Sequence, residues 1–214
     1  MIGTQPAEAL AKPRLRGVTH QWAFVGATVA GVALVVSAPA TAIAVYAASL
    51  AAMLGTSAMY HRGTWSAQAL PVIRGLDHSM IYVLIAGTYT PFATFVLDDA
   101  VGRVVLLVVW IGAFAGIAMK LAWTRAPRSA VAVAYVALGW VIVVATPQVI
   151  DQAGAACTSL LLLGGLLYTT GAIVYARQRP DPAPAVFGFH EVFHLLVVAA
   201  AAIHFAAVAI YATP

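Results

Sequence analysis

Residues 101–121 read VGRVVLLVVWIGAFAGIAMKL, and between Arg103 and Lys120 no side chain carries a formal charge. An α-helix rises about 1.5 Å per residue, so a run of this length spans the roughly 30 Å hydrocarbon core of a bilayer. A strand of a membrane barrel would be about ten residues long and would alternate apolar with polar side chains. This run is apolar throughout, so it reads as a transmembrane helix.

The same pattern recurs along the chain. Apolar runs of helical length fall near 19–37, 41–60, 76–97, 101–121, 129–147, 156–176 and 188–211, which predicts an all-α, polytopic bundle of seven transmembrane helices. The punctuation between them agrees. Ser37-Ala38-Pro39 breaks the first hairpin, Asp98-Asp99 caps the third turn, and Pro127 lies within the segment Thr124–Ser129. Thr146-Pro147 is expected to end the fifth helix, and Arg179-Pro180-Asp181-Pro182 separates the sixth from the seventh. The expected division is a short basic cytoplasmic segment over 1–17 and one transmembrane domain over 18–214, with no room for a second soluble domain.

Composition excludes the soluble alternatives. Of the 214 residues 63% are hydrophobic and 8% charged, whereas a soluble domain carries roughly 25% charged residues. Mean hydropathy is +0.94. The net charge of +4 does not point to nucleic acid, because the basic residues sit in short clusters between the apolar runs. The single cysteine, Cys157, lies inside an apolar run and has no intramolecular partner.

Counting basic residues on alternate sides orients the bundle. With the N-terminus inside, Lys12, Arg14, Arg16, Arg62, Arg74, Lys120, Arg125, Arg128, Arg177 and Arg179 share the inner side, and only Arg103 of the eleven falls outside. Asp98, Asp99 and Asp151 lie opposite them. The positive-inside rule therefore predicts a cytoplasmic N-terminus and, with seven spans, an external C-terminus. A competing reading takes the first span as a signal peptide cleaved near Ala38-Pro39-Ala40.

Ionisable residues in or beside spans are costly and are functional candidates by default. His61 closes the second helix, Asp77 and His78 open the third, and His190, Glu191 and His194 open the seventh, all at the cytoplasmic end. His190 and His194 are four residues apart, on one helical face and about 6 Å apart in height. Two such imidazoles can bind one Zn²⁺. His61 adds a third neutral nitrogen, which leaves a fourth position open, as in catalytic rather than structural zinc sites. Zinc lowers the pKa of bound water to about 7. Asp77 can accept or orient that proton, and Ser57, one turn before His61, can reach the water, a substrate carbonyl or a supporting partner.

Taken singly, each of these residues has an ordinary explanation. A histidine at a helix end complements the dipole, an aspartate favours a helix N-terminus, and a serine packs helices. It is their convergence at one depth that points to a site. The remaining ionisable groups are placed outside it. His78 is rotated about 100° from Asp77 and reads as supporting or interfacial. Glu191 is expected to face head groups or Arg74. His204, about 21 Å along the helix from His190, is too far to ligate. His20 is expected at the interface or in packing. Gly87 and Gly164-Gly165 should permit close helix approach, Pro91 should kink the third helix, and the tryptophans read as anchors or filler.

The segments Ser57-Ala58-Met59-Tyr60-His61, Leu76-Asp77-His78, Ala86-Gly87-Thr88-Tyr89-Thr90-Pro91-Phe92 and His190-Glu191-Val192-Phe193-His194, in this order, resemble the bacterial hemolysin III proteins. These belong with the adiponectin and progestin receptor (PAQR) family. Residues 190–208, HEVFHLLVVAAAAIHFAAV, are similar to the last helix of adiponectin receptors, and Arg16-Gly17-Val18-Thr19-His20 resembles the hemolysin III start. The resemblance runs through nearly the whole chain. It implies seven helices, a cytoplasmic N-terminus and a bacterial plasma or inner membrane. It implies zinc on His61, His190 and His194, with Asp77 and Ser57 beside it. It also implies, from the eukaryotic receptors, a ceramidase-like amide hydrolysis. Two departures matter. The long cytosolic N-terminal region of those receptors is missing, which argues against hormone signalling, and His78 stands where they have tyrosine, which leaves the substrate open.

The function expected from all this is zinc-dependent hydrolysis of a lipid amide or ester within the bilayer, with membrane lipids as partners and no nucleic acid. A non-enzymatic membrane-homeostasis or sensor protein with structural zinc is the first alternative. A pore-forming hemolysin is the second, although a pore should show a polar stripe along several helices rather than charge clustered at one end.

Overall fold

The computed structural model describes residues 12–123 and 126–214. Residues 1–11 of the expected basic segment, and Arg125 of the basic count, lie outside them. The described residues form seven helices: α1 Val18–Ser37, α2 Thr41–Arg62, α3 Ala69–Phe95, α4 Asp99–Ala122, α5 Arg128–Gly139, α6 Ile142–Arg177 and α7 Phe189–Tyr211. They contain no strand, only an isolated bridge between Ala183 and Phe187 in the loop before α7. The all-α expectation therefore holds. Six stretches are long and apolar enough to cross a membrane.

Sequential helices pack against one another, and α7 closes the bundle by touching α1 and α3 as well as α6. The expected close approaches are present. A Cβ at Gly87 of α3 would fall 2.1 Å from the Ser49 hydroxyl on α2, and one at Gly164 of α6 would fall 2.2 Å from the His204 ring on α7. Side-chain placement follows the logic of lipid rather than water. Val29, Val32, Val36, Leu107, Ile111 and Phe114 point outward, while His20, Ser57, His61, Asp77, Glu191 and His194 are buried. Pro91 lies inside α3, which continues to Phe95.

The stretch 128–177 departs from the expected boundaries. Its 50 residues form one candidate span by composition, yet a straight helix of that length would be about 75 Å long, more than twice the hydrocarbon core. It folds back instead. The Trp140 indole N–H donates to the Thr169 hydroxyl at 2.9 Å, a pair that a straight helix would hold about 43 Å apart. The reversal sits at Gly154, whose φ of 81° and ψ of 171° lie where only glycine is comfortable.

Nor does a helix end at Thr146-Pro147. Pro147 lies inside α6, and the interruption comes earlier, at Trp140 and Val141. Its cause is a side chain on another helix. The Tyr89 hydroxyl of α3 donates to the Gly139 carbonyl at 2.6 Å and accepts the Ile142 N–H at 2.7 Å. An inserted hydroxyl thus satisfies the backbone groups that the break sets free. A proline is tolerated within a membrane helix for the same kind of reason, because neighbouring groups and local adjustment take up the freed carbonyl.

Candidate metal centre

The chain brings His61 to the last turn of α2 and His190 and His194 to the first two turns of α7. The start of α7 is fixed by two carboxylates. Glu191 accepts the Gly188 N–H at 2.8 Å, and Asp181 accepts the Phe189 N–H at 2.8 Å. These satisfy donors that a helix start leaves without partners. Glu191 is fully buried and is ion-paired with Arg16 at the entrance to α1. The expectation that it faces head groups or Arg74 is therefore wrong: its angle on the helix turns it inward, towards α1.

The three imidazoles converge. One nitrogen from each of His61, His190 and His194 lies within 4.8 Å of the other two, and the Nε2 atoms of His61 and His190 are 3.1 Å apart. His61 and His194 are 6% and 1% exposed. Ring centroids are 4.4 Å apart for His190 and His194, 4.7 Å for His61 and His190, and 4.8 Å for His61 and His194.

These residues fit a metal ion. Two ligands on a tetrahedral zinc, each about 2.0–2.1 Å away, stand about 3.3 Å apart, and the His61–His190 pair is already close to that separation. The His194 Nδ1 is buried without a hydrogen-bond partner among the described residues, a vacancy that low-dielectric surroundings normally penalise. The donors are all imidazole nitrogens, which suit zinc and other borderline ions alike.

Ser57 and Asp77 are buried beside the cluster and line the same cavity. That cavity measures about 380 Å³ and runs lengthwise, from Arg16, Arg74 and Arg128 at one end to Trp140, Tyr168 and His204 at the other. His78 is buried on the cavity wall. Its Nδ1–H donates to the Arg74 carbonyl at 2.8 Å, its Nε2 lies 3.4 Å from the Tyr175 hydroxyl, and Nδ1 stands 3.7 Å from the Asp77 carboxylate. It is thus buried rather than exposed at an interface. His204 stays apart from the cluster, hydrogen-bonded to the Leu161 carbonyl at 3.1 Å.

His20 is the residue whose part was missed. It is 2% exposed, lines the cavity and stacks on His194, with ring centroids 3.8 Å apart and planes 11° from parallel. Read alone at the start of a span it is indistinguishable from a packing histidine. The nearest signal in the sequence is its place at the end of Arg16-Gly17-Val18-Thr19-His20.

Six apolar candidate spans and a trio of imidazoles, two buried and one half-buried, define a multi-pass membrane protein with a candidate metal centre. The chain belongs to the family described as "Haemolysin-III related", whose model matches residues 8–205, and so to the PAQR superfamily. It is 37% identical to Hemolysin-3 of Bacillus cereus over 139 residues, which is 65% of this chain and 61% of that relative. It is 34% identical to the Hemolysin-3 homolog of Bacillus subtilis (strain 168) over 140 residues, 65% of this chain and 63% of that relative. The match thus spans less than two thirds of either relative's length. These relatives and the apolar helices make it a multi-pass protein of the bacterial cell membrane.

Proposed function

We propose that this protein is a zinc-dependent hydrolase of a lipid amide or ester, with His61, His190 and His194 as ligands and Asp77 and Ser57 as the groups that handle the substrate. The observation that carries the reading is the cavity, which joins the three imidazoles, Asp77 and Ser57 at one end to a deep apolar slot. His190 and His204 both line it, and on one helix they are about 21 Å apart. That length suits an extended acyl chain.

A zinc ion bound there would polarise a carbonyl and acidify water. Hydrolysis adds water across an acyl C–N or C–O bond. In this reading the Asp77 carboxylate, which lines the same cavity, takes a proton from that water and returns it to the departing nitrogen or oxygen. The Ser57 hydroxyl is available to hydrogen-bond the carbonyl oxygen, and His78 neighbours Asp77, its Nδ1 3.7 Å from the carboxylate.

The reading includes seven crossings, with residues 1–17 cytoplasmic, a transmembrane domain over 18–214 and an external C-terminus. The fold-back at Gly154 supports it, because it leaves the 50-residue stretch as two arms, each of a length that suits a crossing.

Purified protein is expected to release free fatty acid from members of a panel of lipid amides and esters, and His194→Ala is expected not to. No product above the variant's background, across the panel and with zinc supplied, sinks the enzyme reading. Stoichiometric zinc without turnover would favour the homeostasis or sensor alternative. The relatives' printed name favours one other reading, a pore. Dye release from liposomes that persists in His61→Ala and His194→Ala would support it.

A further inference from the structure

We propose that His20 is a positioning residue for the metal centre, holding the His194 ring in its ligating orientation by stacking on it as part of a brace formed by residues 14–20. The proposal rests on reading His61, His190 and His194 as metal ligands, and it adds a member from a fourth helix.

The contacts converge from one short segment. Arg14 and Leu15 donate their backbone N–H groups to the carbonyls of Ala185 and Val186, each at 3.1 Å, tying the entrance of α1 to the loop that leads into α7. Arg16 pairs with the buried Glu191, which itself caps α7. Gly17 has φ 79° and lies against the second helix so closely that a Cβ there would stand 2.6 Å from the His61 Cβ. One turn on, His20 stacks on His194. A single turn of chain therefore touches a ligand on α2, a ligand on α7 and the carboxylate between the two α7 ligands.

His20 is placed to act through its ring face. Both of its ring nitrogens are buried and neither makes a hydrogen bond of good geometry among the described residues, although the His194 backbone lies beside the ring. It does not belong to the trio whose nitrogens share a 4.8 Å neighbourhood. What it does offer is a plane 11° from that of His194 at 3.8 Å. Tilting the His194 ring out of this plane would break that overlap, so the stack fixes the plane in which the ring presents its nitrogens. Supporting groups of this kind typically change metal affinity about 10–100-fold.

The test compares His20→Ala, His20→Leu and His20→Phe in the full-length protein loaded with Co²⁺, reading the ligand-field spectrum and the rate of metal loss to a chelator. His20→Phe keeps an aromatic face and no nitrogen, so it should retain the wild-type spectrum and loss rate. His20→Leu fills the space without a ring, and it and His20→Ala should lose metal about 10–100-fold faster, with a broadened spectrum. Loss in His20→Phe as fast as in His20→Leu would overturn the proposal, because the nitrogens would then be what matters. An unchanged His20→Leu would overturn it too, even if His20→Ala fails to fold. Wild type that takes up no Co²⁺ or Zn²⁺ overturns the metal reading itself, an outcome distinct from either.

Discussion

Glu191 meets two demands at once, capping α7 through Gly188 and neutralising Arg16. The two partners are unequally buried, since the Arg16 side chain retains 18% exposure and that of Glu191 only 1%. Removing Arg16 therefore strands a carboxylate in a low-dielectric interior, at a cost of about 3–5 kcal/mol. Glu191→Gln leaves a guanidinium that reaches water and an amide oxygen that still caps the helix, and should cost only about 1–3 kcal/mol. Thermal unfolding in detergent should rank Arg16→Met below Glu191→Gln, and the reverse order would contradict the pairing. The three imidazoles carry a separate expectation. Ligands must be neutral to bind a cation, so acidification should release the metal and restoring the pH should recover it. Metal content after equilibration across a pH series checks this. At this scale the sequence was informative where spacing alone sufficed: His190 and His194 share a face by arithmetic. Glu191 was misjudged, and the partner of the packed His20 was not foreseen, because in each case the contact lies on a distant helix, where spacing says nothing.

Among the elements, α5 and α6 test how far local signals reach. The apolar runs located every helix, but the boundary placed at Thr146-Pro147 belongs seven residues earlier, near Gly139. No local propensity marks that position, since the interruption is made by Tyr89 from α3. Tyr89→Phe should leave the Gly139 carbonyl and the Ile142 N–H without their partner and destabilise the protein by about 1–3 kcal/mol, read as a lowered Tm. Gly154 carries the companion prediction. A Cβ there meets open space, so the whole cost of Gly154→Ala is backbone strain at φ 81°, about 1–3 kcal/mol. If Gly154→Ala is neutral, the reversal does not need that conformation.

For the molecule as a whole, composition was enough to name the solvent, and the solvent dictated an apolar exterior and a polar interior. The basic residues from which an orientation is expected include Arg16, Arg74 and Arg128, which also line the cavity. Impermeant thiol labelling of intact cells checks the orientation. A cysteine at position 103 should be labelled and one at 62 or 177 protected, with the opposite pattern inverting the topology.

The tie between residues 14–20 and α7 has a consequence for how the protein is made. His61 precedes His190 by 129 residues in the chain and so leaves the ribosome long before either histidine of α7. Until then the first helix has nothing to brace and the second offers a lone imidazole. On the proposed metal reading, an ion would be captured only once α7 has joined the bundle, and a chain stalled or cut short before α7 would be unable to load.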